Sequence, residues 1–245
     1  TTRELIEKGY LVKDEYYYAK SIETKGLKKD SKGDFAESDQ FKRFNRPELY
    51  GDAVKAWTEN AANTITLVFC VNIQHAVETC KAFNNKGITA RFVTSPVKKP
   101  TLPDNPAPAQ RSRYEKHKAE YDNWIEAYRK YSGPREQVID GWKNGQYYVL
   151  INAGILTTGF NFRPIETIQV MRVTISDPLW LQICGRGSRP YEGPHPVTGN
   201  LWKKTHFNII DHGNHGHRLG MYRTPRKYNL IHEQKKGGAA APVKE

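Results

Sequence analysis

Five short apolar runs, alternating with stretches of helical spacing, constrain the fold of this chain more than any other feature. The runs cover residues 66–71, 90–93, 147–152, 167–173 and 207–211. Continuous apolar runs of this length are typical of strands that are buried on both faces of a sheet. Strands that alternate with helices are joined by right-handed crossovers. The sequence therefore predicts an α/β domain with a mostly parallel central sheet.

The first two runs are joined by a segment with clear helix signals. Asn72 is a favourable N-cap residue, and Gly87 ends the helical pattern. Between them the apolar residues fall on one side of a helix: Ala76, Val77, Cys80 and Phe83. The segment predicts one β-α-β unit, with strands before Asn72 and after Gly87.

The remaining segments suggest a division of the chain. We expect an N-terminal connector and helix over 1–62, the main domain over 63–220 and a linker-like extension over 221–245. Within the main domain, residues 97–132 are Pro-rich and then strongly charged, which predicts a helical insertion projecting from the core. Two interpretations of this insertion stay open. It is a solvated helix that packs through its aromatic residues, or an additional nucleic-acid surface with Lys and Arg for phosphates and Tyr or Trp for base stacking.

Composition indicates a globular protein with a polyanionic partner. The chain has 38 Lys and Arg residues against 26 Asp and Glu, a net charge of +12. A basic excess of this size, together with many Tyr and Trp residues, favours nucleic acid as the partner, although it also serves solubility. No apolar run is long enough to span a bilayer and no signal-peptide layout is present, so we expect no membrane partner and a cytoplasmic location. Three widely spaced cysteines are expected to be buried thiols: Cys70, Cys80 and Cys184.

The segment 182–190 carries the pattern Q-x-x-G-R-x-x-R. Its two guanidiniums, Arg186 and Arg189, are three residues apart, about one helical turn, so both can point into one site. Arginine remains charged and binds phosphate oxygens bidentately, which makes this pair a candidate polyphosphate clamp.

The loops after three of the predicted strands carry distinctive motifs in a recognisable order. With the clamp, they resemble the second, C-terminal RecA-like domain of superfamily 2 helicases. Residues 69–76 are similar to motif IV, 156–161 to motif V and 182–189 to motif VI. Within that superfamily the chain resembles the bacterial and phage DEAD/DEAH-type helicases of the XPB-like and RadD-like groups, over about residues 1–220. The resemblance implies a RecA-like three-layer sandwich.

The resemblance also implies roles for individual residues. Arg186 and Arg189 would be arginine fingers that reach the γ-phosphate of ATP held by a first RecA-like domain, and Gln182 would orient the nucleotide. Gly159, Asn161 and Gly185 would lie at the nucleotide. Contacts to the nucleic-acid backbone are implied for six residues: Asn72, His75, Thr94, Ser95, Thr157 and Thr158.

Two positions depart from the family pattern. Relatives usually have an acid at the position of Thr158 and an Asp at that of Asn161. Asn can donate and accept hydrogen bonds but offers no carboxylate to an arginine or a ribose. These departures put the electrostatics of motif V in doubt, while leaving the fold unaffected.

The sequence contains neither a G-x-x-x-x-G-K-[ST] phosphate loop nor an Asp-Glu tetrad. We therefore expect ATP and Mg²⁺ to be bound mainly by a first RecA-like domain outside this chain, and the isolated chain to be inactive. The histidines near Asp211 match no common zinc spacing, and no metal site is predicted. The expected function is the motor half of an ATP-dependent helicase or translocase, acting on DNA more readily than on RNA. The alternatives are a non-catalytic nucleic-acid-binding module, or the motor of a restriction enzyme or RNA helicase. If Arg186 and Arg189 act on ATP held by another domain, both side chains should be exposed and should lack an acidic partner within this chain.

Overall fold

The computed structural model describes residues 1–157 and 159–226, which fold around a six-stranded parallel sheet. The strands are β1 (Lys13–Tyr18), β2 (Thr66–Cys70), β3 (Ala90–Val93), β4 (Val149–Ala153), β5 (Thr167–Met171) and β8 (His206–Asp211), and a separate hairpin is formed by β6 (Glu192–Pro194) and β7 (Leu201–Lys203). The helices are α1 (Thr2–Glu7), α2 (Glu37–Phe44), α3 (Pro47–Ala61), α4 (Ile73–Asn85), α5 (Pro108–Tyr131), α6 (Arg135–Lys143), α7 (Asp177–Cys184) and α8 (His215–Leu219).

The strand order β1-β8-β5-β2-β4-β3 places β2 at the centre of the sheet. Its register runs from Thr66 to Cys70 against both β4 and β5. From β2 the chain moves through α4 to the far edge at β3, and it then returns across β2 to β5 and β8. This reversal of direction is the type of switch point beside which ligands bind, outside the carboxyl ends of the strands.

Helices cover both faces of the sheet and produce three layers. On one face α3, α4 and α5 bury large side chains against the sheet, among them Trp57, Phe83 and Trp124. On the other face α6 and α7 do the same with Trp142 and Trp180, which are fully buried. Burying one such aromatic side chain stabilises the fold by roughly 2–3 kcal/mol. The RecA-like α/β sandwich expected from the sequence is confirmed.

The predicted β-α-β unit is present with the expected boundaries. The Asn72 side chain accepts a hydrogen bond from the backbone N–H of His75 at 2.9 Å and so caps α4. Every residue of β2 is buried, and the hydroxyl of Thr66 accepts a bond from the indole N–H of Trp57 at 2.7 Å. This hydrogen bond fixes α3 against the strand. All three cysteines are buried free thiols, as expected.

The N-terminal segment is more closely integrated than the sequence suggests. Strand β1 pairs in parallel with β8 over six residues, from Lys13 opposite His206 to Tyr18 opposite Asp211. The expected boundary between residues 62 and 63 therefore falls inside a single sheet. The run Lys13–Tyr18 has no apolar core pattern because it forms the edge of the sheet, where one side lacks a neighbouring strand.

The insertion helix α5 is exposed over most of residues 108–120, and only its C-terminal half packs on the core. The last turns of α5 bury Trp124, Ala127 and Tyr131 against the same core as α4. Asn123 joins the two helices through hydrogen bonds, accepting from Lys81 at 2.5 Å and donating to Glu78 at 3.0 Å. Burial of these aromatic residues holds the C-terminal half of the charged helix on the core, and both interpretations of the insertion stay predictions.

Most of the expected C-terminal extension, 221–245, lies outside the described residues, which end at Arg226. None of the helices in the described part of the chain combines the length and apolar character that a bilayer crossing requires.

Candidate functional site

The residues of the Q-x-x-G-R-x-x-R pattern are divided between a helix and the turn that follows it. Helix α7 ends at Cys184 with Gly185 as its C-cap, so Arg186 and Arg189 lie beyond the helix. The turn lies close against the sheet, because a side chain at Gly187 would collide with Phe207. The expectation that both arginines share one face of a helix is therefore wrong. They nevertheless meet at one place, through a turn that only glycine at position 187 permits.

Arg186 is directed into the loop that follows β4. Its guanidinium donates hydrogen bonds to the backbone carbonyls of Thr157, at 2.6 Å, and Phe160. The side chain is 8% exposed, and its Nε has no partner among the described residues. Burial, with a smaller contribution from the charge of Arg189, lowers the pKa of Arg186. The expectation that Arg186 is exposed is wrong, since this loop supplies two carbonyl acceptors that hold it inside.

Arg189 contacts the same loop from outside. It donates one hydrogen bond, of 2.5 Å, to the Oδ1 of Asn161, and this is the only bond of its guanidinium within residues 1–157 and 159–226. In that part of the chain no carboxylate lies within 4 Å of either Arg186 or Arg189. Asn161, which departs from the pattern that the resemblance implies, gives Arg189 a neutral partner.

The other residues expected at the nucleotide surround these two. Gln182 is exposed on α7, and Gly185 is half-buried at its end. Gly159 has a φ of +67°, in the left-handed region that favours glycine, and a Cβ there would meet nothing within 4 Å. The loop backbone at Gly159 is therefore open to a ligand. Thr157 is half-buried and contributes its carbonyl to Arg186, while Thr158 lies outside the described residues.

Four residues expected at the nucleic acid lie at the ends of β2 and β3. Thr94 is half-buried and Ser95 exposed, directly after β3, so both hydroxyls remain candidates. Asn72 is half-buried, and its Oδ1 is used to cap α4. His75 is fully buried, and its ring lies among Phe41, Phe44 and Tyr50.

The expected contact between His75 and nucleic acid is wrong. Its Nδ1 accepts the backbone N–H of Val71 at 3.3 Å. Burial, with a smaller contribution from the charge of His212, lowers the pKa of the imidazole to about 3. His75 is therefore a neutral core residue that links α4 to the end of β2.

Arg172 is a candidate that the sequence reasoning missed. It follows the last residue of β5 at the carboxyl edge of the sheet and is 9% exposed. Its Nε is buried without a partner, and within the described residues its side chain has neither a hydrogen bond nor an ion pair. A buried arginine without an anion is costly, so such a residue at a ligand-binding edge suggests that a ligand supplies the anion. The available signal was a charged residue inside the apolar run 167–173.

Asp211 and its neighbours form a closed network at the end of β8. The carboxylate is fully buried and accepts hydrogen bonds from the hydroxyl of Tyr16 and from backbone N–H groups, including that of Gly213 at 2.8 Å. The Nδ1 of His215 lies 2.7 Å from its Oδ1. No group of three or more metal-ligating side chains is arranged to hold a metal ion within the described chain. The hydrogen bonds of Asp211 join the end of β8 to the loop that follows it and to Tyr16 of β1.

The parallel sheet, the order of the motif loops and the meeting of Arg186 and Arg189 on the loop after β4 define the class of this domain. The chain has a RecA-like fold, and its motif loops follow one another in the order that the resemblance to the second RecA-like domain of superfamily 2 helicases implies. No protein-family model matches the chain.

Two yeast proteins are similar to the chain in sequence. A Schizosaccharomyces pombe protein assigned as the mitochondrial ATP-dependent helicase irc3 is 31% identical over 140 residues, which is 57% of this chain and 18% of that protein. A Saccharomyces cerevisiae protein assigned as the ATP-dependent helicase IRC3 is 30% identical over 146 residues, 60% of this chain and 15% of that protein. The chain thus spans less than a fifth of either relative. The cytoplasmic location expected for this chain stays a prediction.

A solved structure supports the fold independently. A fragment of a protein assigned as the HsdR subunit of a type I restriction enzyme from Vibrio vulnificus YJ016 superposes with a TM-score of 0.50. The superposition covers 87% of this chain and 34% of that chain at 20% identity, so the likeness is one of fold.

Proposed function

We propose that this chain is the C-terminal motor domain of an ATP-dependent helicase or translocase, and that it completes its active site with a first RecA-like domain. The observation that carries the proposal is the pairing of Arg186 and Arg189 on one loop at the carboxyl edge of the sheet, with no carboxylate in reach of either within the described residues. Two cations held together without an anion suit a polyphosphate bound on another domain.

The two arginines differ in role. Arg189 is half-exposed and makes one hydrogen bond within residues 1–157 and 159–226, which leaves its other donors for a γ-phosphate. It is the residue that we assign as the arginine finger. Arg186 is the positioning residue, because both of its terminal nitrogens hold backbone carbonyls of the loop that presents Asn161 and Gly159. ATP and Mg²⁺, held mainly by the first domain, would supply the transferring phosphoryl group and neutralise part of its charge.

Nucleic acid would cross the carboxyl edge of the sheet. Hydrogen-bond donors follow β5, β2 and β3 in that spatial order: Arg172, Asn72, and the hydroxyls of Thr94 and Ser95. Strands about 4.8 Å apart spread these groups over roughly 14 Å, the span of two to three phosphates. With the net charge of +12, this row suits a sugar-phosphate backbone, and we expect DNA before RNA.

The test is ATP turnover in the longer protein that carries a first RecA-like domain. Because an arginine finger acts on charge in the transition state, Arg189→Ala should lower kcat by about 10³-fold or more, with nucleic-acid affinity changed by less than about twofold. Arg189→Lys should fall between Arg189→Ala and wild type, since it keeps the charge without the planar fork. Arg129→Ala, the same charge change on the exposed side of α5, is the control and should be neutral. Normal turnover by Arg189→Ala would exclude the finger assignment. We also expect negligible turnover by the isolated chain.

A second candidate is a nucleic-acid-binding module without turnover. It is favoured by Asn161 in place of an Asp and by the engagement of Arg186 with backbone carbonyls. Both candidates predict salt-dependent nucleic-acid binding by the chain. Stimulation of ATP hydrolysis by nucleic acid in the longer protein separates them, because only the motor domain requires it.

A further inference from the structure

A cleft of about 350 Å³ opens beside the carboxyl end of β3, between the end of that strand and α5. Its side chains of interest are Thr94, Ser95, Trp124, Tyr128, Arg135 and Ile155. Ile155 belongs to the loop after β4, the same loop that Arg186 and Arg189 contact. The cleft therefore lies between the insertion helix α5 and the loop after β4 that Arg186 and Arg189 contact.

The walls of the cleft are fixed by hydrogen bonds and packing. Ser132, at the end of α5, donates its hydroxyl to the carbonyl of Phe92 in β3 at 2.6 Å. Trp124 and Tyr128 pack against each other with ring centroids 5.0 Å apart and an interplanar angle of 35°. Because α5 is anchored to the core through Trp124 and Ala127, the cleft is formed before any ligand arrives.

The chemistry of the cleft is aromatic on one side and anion-binding on the other. Tyr128 is half-buried and Trp124 is 8% exposed, so Tyr128 provides most of the accessible aromatic surface. Thr94, Ser95 and the exposed Arg135 provide hydroxyl and guanidinium donors. None of the described lining residues carries a carboxylate, so nothing in the lining repels an anion.

We propose that this cleft binds one unpaired nucleotide of the bound strand, with its base against Tyr128 and its phosphate near Thr94, Ser95 and Arg135. The inference rests on the proposed function, since it places a nucleotide at the end of the row of backbone contacts. It assigns the insertion a base-holding role in addition to its packing role. The volume lies within the range of small-molecule sites, and a base has the flat face that an aromatic ring accepts. Stacking tolerates every base, so we expect no sequence preference.

The test compares two single-stranded probes in binding to the 245-residue chain. One is oligo-dT of about 12 nucleotides, and the other is the same backbone with abasic sites throughout. Tyr128→Ala should weaken binding of oligo-dT by about five- to tenfold, because base stacking is lost. It should leave the abasic probe unchanged, whereas Tyr128→Phe should bind both probes like wild type. Tyr114→Ala is the matched control, since Tyr114 is a half-buried tyrosine on α5 that does not line the cleft.

The phosphate side of the cleft is tested with arginine variants. Arg135→Ala should lower the affinity for both probes more than Arg113→Ala does. Arg113→Ala removes the same charge from α5 outside the cleft. Equal losses in these two variants would indicate general electrostatics and would contradict a phosphate position in the cleft. If Tyr128→Ala lowered the affinity for both probes equally, or lowered neither affinity, the proposed stacking of a base on Tyr128 would be wrong.

Photocrosslinking of the wild-type chain keeps the inference testable if the variants fail to fold. Oligo-dT carrying 5-iodouracil should form its adduct at Tyr128 or Trp124, and an adduct mapped only to other residues would overturn the proposal. The proposed function fails separately. If the wild-type chain binds neither probe at low salt, the proposed nucleic-acid role is wrong. If it binds oligo-dT and the abasic probe with equal, salt-dependent affinity, only the proposed base site in the cleft is wrong.

Discussion

The loop after β8 and the loop after β4 leave the same edge of the sheet, but they satisfy their polar groups in opposite ways. Asp211, at the end of β8, is fully buried, and hydrogen bonds from Tyr16, Gly213 and His215 saturate its carboxylate. The loop after β4 meets two arginines and no carboxylate within the described residues, and Arg189 keeps donors free.

The difference separates structural polar groups from groups that serve a ligand. A buried charge must be paired, and the fold provides every partner that Asp211 needs. Among the described residues, no anion contacts Arg189 or Arg172 at the edge where ligands of parallel sheets bind. Saturation of Asp211 indicates a role in stability, while the incomplete partners of the arginines indicate a role that another molecule completes.

The largest expected effect on stability is at Asp211. Asp211→Asn should lower the free energy of unfolding by about 3 kcal/mol or more, because donors from Tyr16 and His215 would face an amide in place of a carboxylate. Urea unfolding at neutral pH measures this. Asp140→Asn is the control, since that exposed acid pairs with Lys143 at 3.8 Å and should change stability by less than about 0.5 kcal/mol. A loss at Asp211 no larger than at Asp140 would contradict the saturated network.

Lowering the pH should remove the advantage of the Asp211 carboxylate. Burial alone raises the pKa of Asp211, but the hydrogen bonds and charge of His215 and the bond from Tyr16 outweigh burial and lower it to about 2. The carboxylate of Asp211 takes up a proton near pH 3.9 in the unfolded chain, whereas in the folded chain it does so only near pH 2. The contribution is therefore complete above about pH 4 and is lost as the pH falls toward 2. The stability gap between wild type and Asp211→Asn should narrow across that window.

Within the motif pair, Arg186 should matter for stability and Arg189 should not. Arg186→Met should cost about 2 kcal/mol, because the carbonyls of Thr157 and Phe160 lose their donor inside the protein. Arg189→Met removes one hydrogen bond at a half-exposed position and should cost less than about 0.5 kcal/mol. Paired urea denaturation curves make the comparison, and hydrogen exchange over 157–161 should rise only in Arg186→Met. Equal costs for the two variants would remove the distinction between positioning residue and finger.

The layers of the fold were predictable because strand and helix patterns are local. Strand β3 has the predicted boundaries, and α4 has the predicted cap at Asn72. Strand β1 was not assigned to the sheet, because the run Lys13–Tyr18 is three charged residues followed by three tyrosines, with no aliphatic residue, at a sheet edge. Its membership depends on pairing with β8, nearly two hundred residues later in the chain.

The sequence identified which residues belong to the candidate site, but it did not predict their burial or their hydrogen-bond partners. The pattern at 182–189 identified both arginines, yet the burial of Arg186 depends on carbonyls 26 and 29 residues earlier. His75 was assigned to the nucleic acid because residues 69–76 resemble motif IV, but three aromatic rings from α2 and α3 enclose it. Such enclosures come from tertiary packing, which spacing along one segment does not encode.

The smallest expected effect, at Arg172, tests whether missing partners indicate a ligand. Arg172→Gln should reduce the slope of log K against log salt for single-stranded DNA by about 0.7, the change expected for one phosphate contact. Affinity at low salt should fall by severalfold, and Arg172→Lys should retain part of it. Arg129→Gln, which removes an exposed charge from α5, should change the slope less.

Stability separates the two explanations of Arg172. Because its guanidinium has no partner in the described chain, Arg172→Gln should leave the free energy of unfolding unchanged or raise it slightly, as expected where a binding residue is held at a cost to the fold. A structural arginine would show the opposite pattern, with lower stability and an unchanged salt slope. That result would mean that an arginine without a partner at this edge does not indicate a ligand contact. The contrast between Asp211, whose partners the fold provides, and the arginines, which lack an anion among the described residues, would then carry no functional meaning.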